Sequence, residues 1–129
     1  MAQFKIYGRA EHIRAVRGQL SDVIHGCAVE ALKLPADKRF QRFFPLAADD
    51  FVYPADRSAR YTIIEVSMFE GRSVEARRQL VRLLFERLQA ELGLAPADVE
   101  ITITETPRHN WGIRGVSGDE LELTYQVSV

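Results

Sequence analysis

Cysteine is almost missing from this chain: Cys27 stands alone, which excludes an intramolecular disulfide framework. Long hydrophobic runs are missing too. No apolar stretch approaches the ~20 residues a membrane-crossing helix needs, and Met1-Ala2-Gln3-Phe4-Lys5 has no signal-peptide core. Neither charge dominates, with 17 Lys+Arg against 18 Asp+Glu and a net charge of −1. A nucleic-acid partner held through phosphate contacts is therefore not expected. There is no Gly-rich phosphate loop and no Gly-x-Ser-x-Gly elbow. His12, His25 and His109 are scattered without metal-ligand spacing, so neither metal nor cofactor is expected. These absences describe a cytoplasmic protein without a membrane partner.

Hydrophobic residues make up 47% of the 129, enough to build a real core in a single domain. Phe4-Lys5-Ile6-Tyr7 alternates as a short strand ended by Gly8. Ile13, Val16, Leu20, Ile24, Cys27 and Ala31 follow helical spacing, and Pro35 predicts a helix end near Lys33-Leu34. Arg39–Leu46 reads as a second strand, and 47–61 reads as a connection in which Phe51-Val52-Tyr53 must bury something. Thr62–Met68 is β-branched and alternating, with Ile64, Val66 and Met68 on one face. Glu70-Gly71 forms a turn, Ser73 is a helix N-cap, and a helix runs to about Leu92, where Gly93 and Pro96 stop it. Val99–Thr104 alternates cleanly as a strand. The tail Leu121, Leu123, Tyr125, Val127, Val129 alternates again and predicts a final strand.

The two halves repeat. A shift of 60 residues places Phe4 and Ile6 on Ile64 and Val66, and Leu20, Ile24, Ala28 and Leu32 on Leu80, Leu84, Leu88 and Leu92. Ala95 is then one extra residue, which sets Arg39 at the place of Glu100. The predicted fold class is α+β: two tandem β-α-β units, 2–46 and 62–106, joined by 47–61 and followed by a loop and strand over 107–129. They form one four-stranded sheet with two helices on one face. The other sheet face needs a cover. Apolar residues on both faces of the central strand and the spare tail strand point to a homotrimer.

Residues 62–115 resemble 4-oxalocrotonate tautomerase through Glu70-Gly71-Arg72-Ser73, Leu80, Pro96, Val99, Ile101-Thr102-Ile103-Thr104-Glu105 and Gly112-Ile113-Arg114-Gly115. The whole two-unit chain is similar in layout to the malonate semialdehyde decarboxylase and cis-3-chloroacrylic acid dehalogenase branches of the tautomerase superfamily. The resemblance implies a trimer acting on a small carboxylate, with an amino-terminal proline as base or acid, arginines on the carboxylate and an aromatic pocket wall. The proline position falls on Ala2, the carboxylate arginine on Arg72, the aromatic wall on Trp111 and the second arginine on Glu100. In the decarboxylase branch, the first arginine of a close pair falls near Met68, and its acidic partner on Lys38 or, with a one-residue slip, Asp37.

The implied activity is keto–enol isomerisation of a small 2-oxo acid, with weak or absent proline-type turnover. The alternatives are a non-catalytic trimeric binding protein or, further off, a decarboxylase or dehalogenase. Candidate site residues are Ala2 and Arg72 for chemistry, with Arg72, Trp111 and Arg39 for substrate binding. Arg108 could add positive charge to the pocket.

Overall fold

A computed structural model describes all 129 residues. Strand β1 (Ala2–Arg9) leads into α1 (Ala10–Leu32), and β2 (Gln41–Leu46) returns parallel to β1. Strand β3 (Thr62–Phe69), α2 (Val74–Leu92) and β4 (Val99–Thr106) repeat the same unit, with β4 parallel to β3. The units join through the antiparallel pair β1–β3, giving a sheet of order β2-β1-β3-β4. The predicted fold class is thus observed. A small hairpin, β5 (Gly112–Ile113) with β6 (Val116–Ser117), follows.

Local chemistry explains the helix ends. Ser73 caps α2 by accepting from the Ala76 N–H at 3.1 Å, and Gly93 ends it with left-handed φ. Helix α1 stops at Leu32, and Lys33, not glycine, takes the left-handed cap at φ 56. Ile13, Leu20, Ile24 and Leu32 of α1 and Leu80, Leu84 and Leu88 of α2 pack onto Phe4, Ile6, Ile64, Val66 and Met68. Val74, the first residue of α2, is exposed, so the inward stripe of that helix begins at Ala76. Neither helix is long and apolar enough to cross a membrane.

Three readings need correction. Leu121–Val129 is not a strand. It folds back irregularly, burying Val127 against Phe69 and Met1, and the Ser73 hydroxyl donates to the Val129 carbonyl at 2.8 Å. Its alternating leucines and valines match a small hydrophobic cluster instead of a ladder. The central strand is also less symmetric than its composition: Ile64, Val66 and Met68 face the helices, whereas Ile63, half-exposed Glu65 and Ser67 take the opposite face. There Tyr7 stacks on Phe44 at 4.7 Å and donates to Glu65 at 2.7 Å. Finally, Gln41 pairs with Phe4 while Ile101 pairs with Ile64, so Phe40, not Arg39, stands where Glu100 stands. The turn before β2 absorbs the extra residue: Lys38 N–H bonds Pro35 as Asp98 N–H bonds Ala95.

The connection buries what its aromatics require. Phe51 stacks on Tyr61 at 5.6 Å, Tyr53 tilts against the same ring, and Val52 between them is 91% exposed. Asp98 ties the loop down by accepting from the Ser58 N–H and hydroxyl.

Candidate functional site

The site lies where β1 starts and β3 ends. Antiparallel pairing sets Ala2 opposite Met68, and the Phe69 N–H donates to the Met1 carbonyl at 3.1 Å. The first residues of the chain are therefore held beside the Glu70-Gly71-Arg72 turn. Gly71 has φ 129, and a Cβ there would lie 3.2 Å from a Val127 methyl. Glycine thus serves both the turn and the seat of the tail.

Arg72 is 4% exposed, and none of its three side-chain nitrogens has a hydrogen-bond partner in the protein. Burial lowers its pKa, opposed by the charges of Tyr125 and Glu105. It directly precedes the N-cap of α2, so the positive end of the helix dipole adds to its field. A buried, bare guanidinium is costly unless an anion meets it. The Met1 amine shares this environment. Burial first, then the charges of Arg72 and Arg108, lower its pKa from 8.0 to about 5. In a chain that begins at Met1 it is a free base at neutral pH, able to accept a proton.

Phe69 floors the site. Trp111 meets it edge-on at 5.0 Å and 86°, and the Arg108 guanidinium lies 5.3 Å from its ring centre. Arg108 also donates to the Gly118 carbonyl at 3.0 Å and the Leu121 carbonyl at 2.9 Å, pinning the hairpin and tail over the ring. Arg108→Ala is expected to release this arm, red-shift Trp111 fluorescence and cost about 1–3 kcal/mol of stability from the lost charged hydrogen bonds. Unchanged emission would show that the apolar contacts hold the arm alone.

Next to Met1 opens a cavity of about 340 Å³ lined by Met1, Lys38, Phe40, Ile113, Arg114, Glu122, Leu123, Thr124 and Tyr125. The Tyr125 hydroxyl reaches only the Met1 thioether, at 3.5 Å. Its burial raises its pKa, while the charges of Arg72, Arg108 and Arg114 pull the other way.

Of the residues singled out in the sequence, Ala2, Arg72 and Trp111 gather here. Ala2 itself is 2% exposed and belongs to the main core. Trp111 backs Phe69 and does not line the cavity; Ile113 does. Arg39 is elsewhere: its guanidinium donates to Asp22 at 2.7 Å and to Ser21 at 3.1 Å on α1. Its neighbours Lys38 and Phe40 reach the cavity instead. Met1 and Tyr125 escaped sequence reasoning. The resemblance directs attention to Ala2, and Tyr125 belongs to the predicted tail strand. Their signal is tertiary, because only the fold brings the two ends of the chain together.

The repeat yields one such site, not two. The 60-residue shift maps Arg72 to His12, Ala2 to Thr62 and Trp111 to Phe51. There the chain runs through Tyr61 without a free amine, His12 Nε2 bonds the Thr62 hydroxyl at 3.2 Å, and the Phe51–Tyr61 stack fills the space.

The sequence pattern of the family described as Tautomerase_2, tautomerase enzyme, matches residues 38–114, and the chain belongs to that family. It is 37% identical over 57 residues to a 2-hydroxymuconate tautomerase of Comamonas testosteroni, covering 44% of this chain and 90% of that protein. It is 29% identical over 98 residues to the probable tautomerase YrdN of Bacillus subtilis (strain 168), covering 72% and 75%. Among solved structures, the FG41 malonate semialdehyde decarboxylase inhibited by 3-bromopropiolate superposes with a TM-score of 0.78 at 30% identity, over 91% of this chain and 92% of that one. A native fused 4-OT shares the fold at a TM-score of 0.79 and 23% identity, over 92% and 98%. The resemblance read from the sequence is thereby borne out: this is a tautomerase-like protein of the superfamily.

Proposed function

We propose that this protein is a keto–enol isomerase of a small 2-oxo acid, working as a cytoplasmic homotrimer. The observation that carries the reading is the Arg72 guanidinium, buried and unpaired beside an amine whose pKa lies at about 5. Arg72 holds the substrate carboxylate through paired charged hydrogen bonds. The neutral amine takes the proton from the enol oxygen at C2, and the resulting ammonium returns it to C3. Charge gathering on the C2 oxygen is stabilised by Arg72 and by Arg108 behind it. Ile113, Leu123 and Phe40 give the cavity its apolar wall. The trimer would cover the open sheet face, and trimers are the assemblies in which other fused 4-OT proteins were solved.

The second reading, a non-catalytic binding protein, has its own support. Alanine stands at the family's proline position, and the tail lies across residues 71–73, over Arg72. Decarboxylation, named for the FG41 protein, has less. Met68, near the position of that branch's first arginine, is wholly buried against the helices and supplies no guanidinium.

The test is ketonisation of phenylenolpyruvate by protein whose terminus has been established by mass spectrometry. Catalysed turnover that disappears in Arg72→Ala selects the isomerase. Carboxylate binding without turnover selects the binding protein. Turnover unchanged in Arg72→Ala sinks the assigned role of Arg72.

A further inference from the structure

The cavity beside Met1 stops short of the guanidinium it should serve: Arg72 is not among its lining residues. One segment separates the two. Glu122, Leu123, Thr124 and Tyr125 form a wall of the cavity, and the residues after them run over Arg72. Val127 presses on Gly71, with a methyl 3.2 Å from where a Cβ would stand, and the Val129 carbonyl accepts from the Ser73 hydroxyl at 2.8 Å. Arg72 is thus covered by way of both its chain neighbours. The cover shuts its nitrogens from solvent and offers them no acceptor.

The cover is lightly held. No backbone N–H of Leu121–Val129 donates to the rest of the protein; the bond from the Val129 N–H to the Val127 carbonyl stays within the segment. Val127 is its one buried side chain, and Gln126 and Ser128 on either side are exposed. Arg108 holds the Leu121 carbonyl, so the near end is fixed. The far end hangs on Val127 and the Ser73 hydroxyl. Closing the segment strips water from Arg72 without replacing it, a cost that works against the burial of Val127. A segment with few apolar contacts and no backbone ladder opens far more readily than the whole protein unfolds.

We infer that Glu122–Val129 is a strap that holds the Arg72 anion site shut, so that a carboxylate reaches the guanidinium only when the strap lifts. This rests on the Arg72 grip proposed above and adds its regulation. The strap turns about the Arg108 anchor at Leu121, takes Val127 away from Gly71 and Phe69, and joins the cavity to Arg72. The anion binds the open form alone. Its apparent affinity is its intrinsic affinity reduced by the fraction of chains that are open. Weakening the seat of Val127 therefore tightens binding. A fixed wall, or a lid that closes over the ligand, responds the other way, because there Val127 helps to hold the bound form together.

The probe is phenylpyruvate, and the seat is changed in two ways. Calorimetry is expected to find the probe bound roughly tenfold more tightly by Val127→Ser than by the native chain. In Val127→Cys, a thiol close to valine in size reports opening through its rate of alkylation by iodoacetamide. Cys27 stays silent, because it is wholly buried and burial pushes its pKa up to about 11. Saturating phenylpyruvate should speed the alkylation several-fold, and adding Arg72→Met should abolish that acceleration. Unchanged or weaker binding by Val127→Ser, or alkylation that phenylpyruvate slows or leaves alone, overturns the strap. The Arg72 grip then stands as long as Arg72→Met loses binding. Phenylpyruvate bound by Arg72→Met as by the native chain overturns the grip. No binding by either the native chain or Val127→Ser overturns both.

Discussion

Arg72→Met is expected to melt at a higher temperature than the native chain and to bind no small carboxylate. The guanidinium is 4% exposed with all three nitrogens unpaired, so folding strips its water and returns no protein hydrogen bond. Methionine has a similar reach and no charge to desolvate. Replacing a buried, poorly compensated charge with an apolar side chain of like volume is stabilising by about 1–3 kcal/mol. For a chain of this size that is roughly 4 °C in Tm per kcal/mol. The binding loss runs the other way: two charged hydrogen bonds to a carboxylate are worth about 3 kcal/mol, or roughly 100-fold in affinity. Thermal melts and calorimetry on the same samples measure both. A stability gain with lost binding is the mark of a residue kept for its ligand. A lower Tm would mean that an acidic group from another subunit pairs with Arg72 in the assembly.

Blocking the terminal amine should cost at least as much. In chains that mass spectrometry shows to begin at Met1, acetylation or a residual tag removes the terminal amine to which the proton transfer is assigned. Turnover should fall by about 10²–10⁴-fold, the usual contribution of a placed general base. The same group predicts a pH profile. Its pKa falls from 8.0 to about 5 through burial first and then Arg72 and Arg108, so the base is free above about pH 5 and kcat/KM declines below it. Stability follows the same group. Between about pH 8 and pH 5 the unfolded chain binds a proton that the folded chain does not, so stability is full above pH 8 and falls as pH drops toward 5.

Removing Met1 and installing Ala2→Pro would supply a rigid secondary amine and should raise isomerase turnover. It also deletes the Met1 side chain from its packing with Phe69 and Val127, so the tail should become easier to cleave with protease. An acid limb near pH 8, or turnover indifferent to acetylation, would assign the proton transfer to another group.

The two β-α-β units are legible in the amino-acid order, because period-2 and helical spacing are local properties of the chain and each unit repeats the same pattern. Ser73, Gly93 and Pro35 set helix ends through backbone chemistry that a few neighbouring residues decide. Arg72 was legible because Glu70-Gly71-Arg72-Ser73 fixes a strand end, a turn and a helix start in one short stretch. Ladder register was not legible: only the pairing of Gln41 with Phe4 removed Arg39 from the site and delivered Lys38 to it. The tail misled for a related reason. Alternating apolar residues satisfy a strand or an irregular cluster equally well, and no partner ladder reaches Leu121–Val129 within the chain. The meeting of the chain's two ends over Phe69 follows from folding and not from any local pattern. The depressed Met1 amine, the bare Arg72 and the cations of the cavity depend on burial and on charges distant in sequence, because desolvation and Coulomb fields act through space and not along the chain.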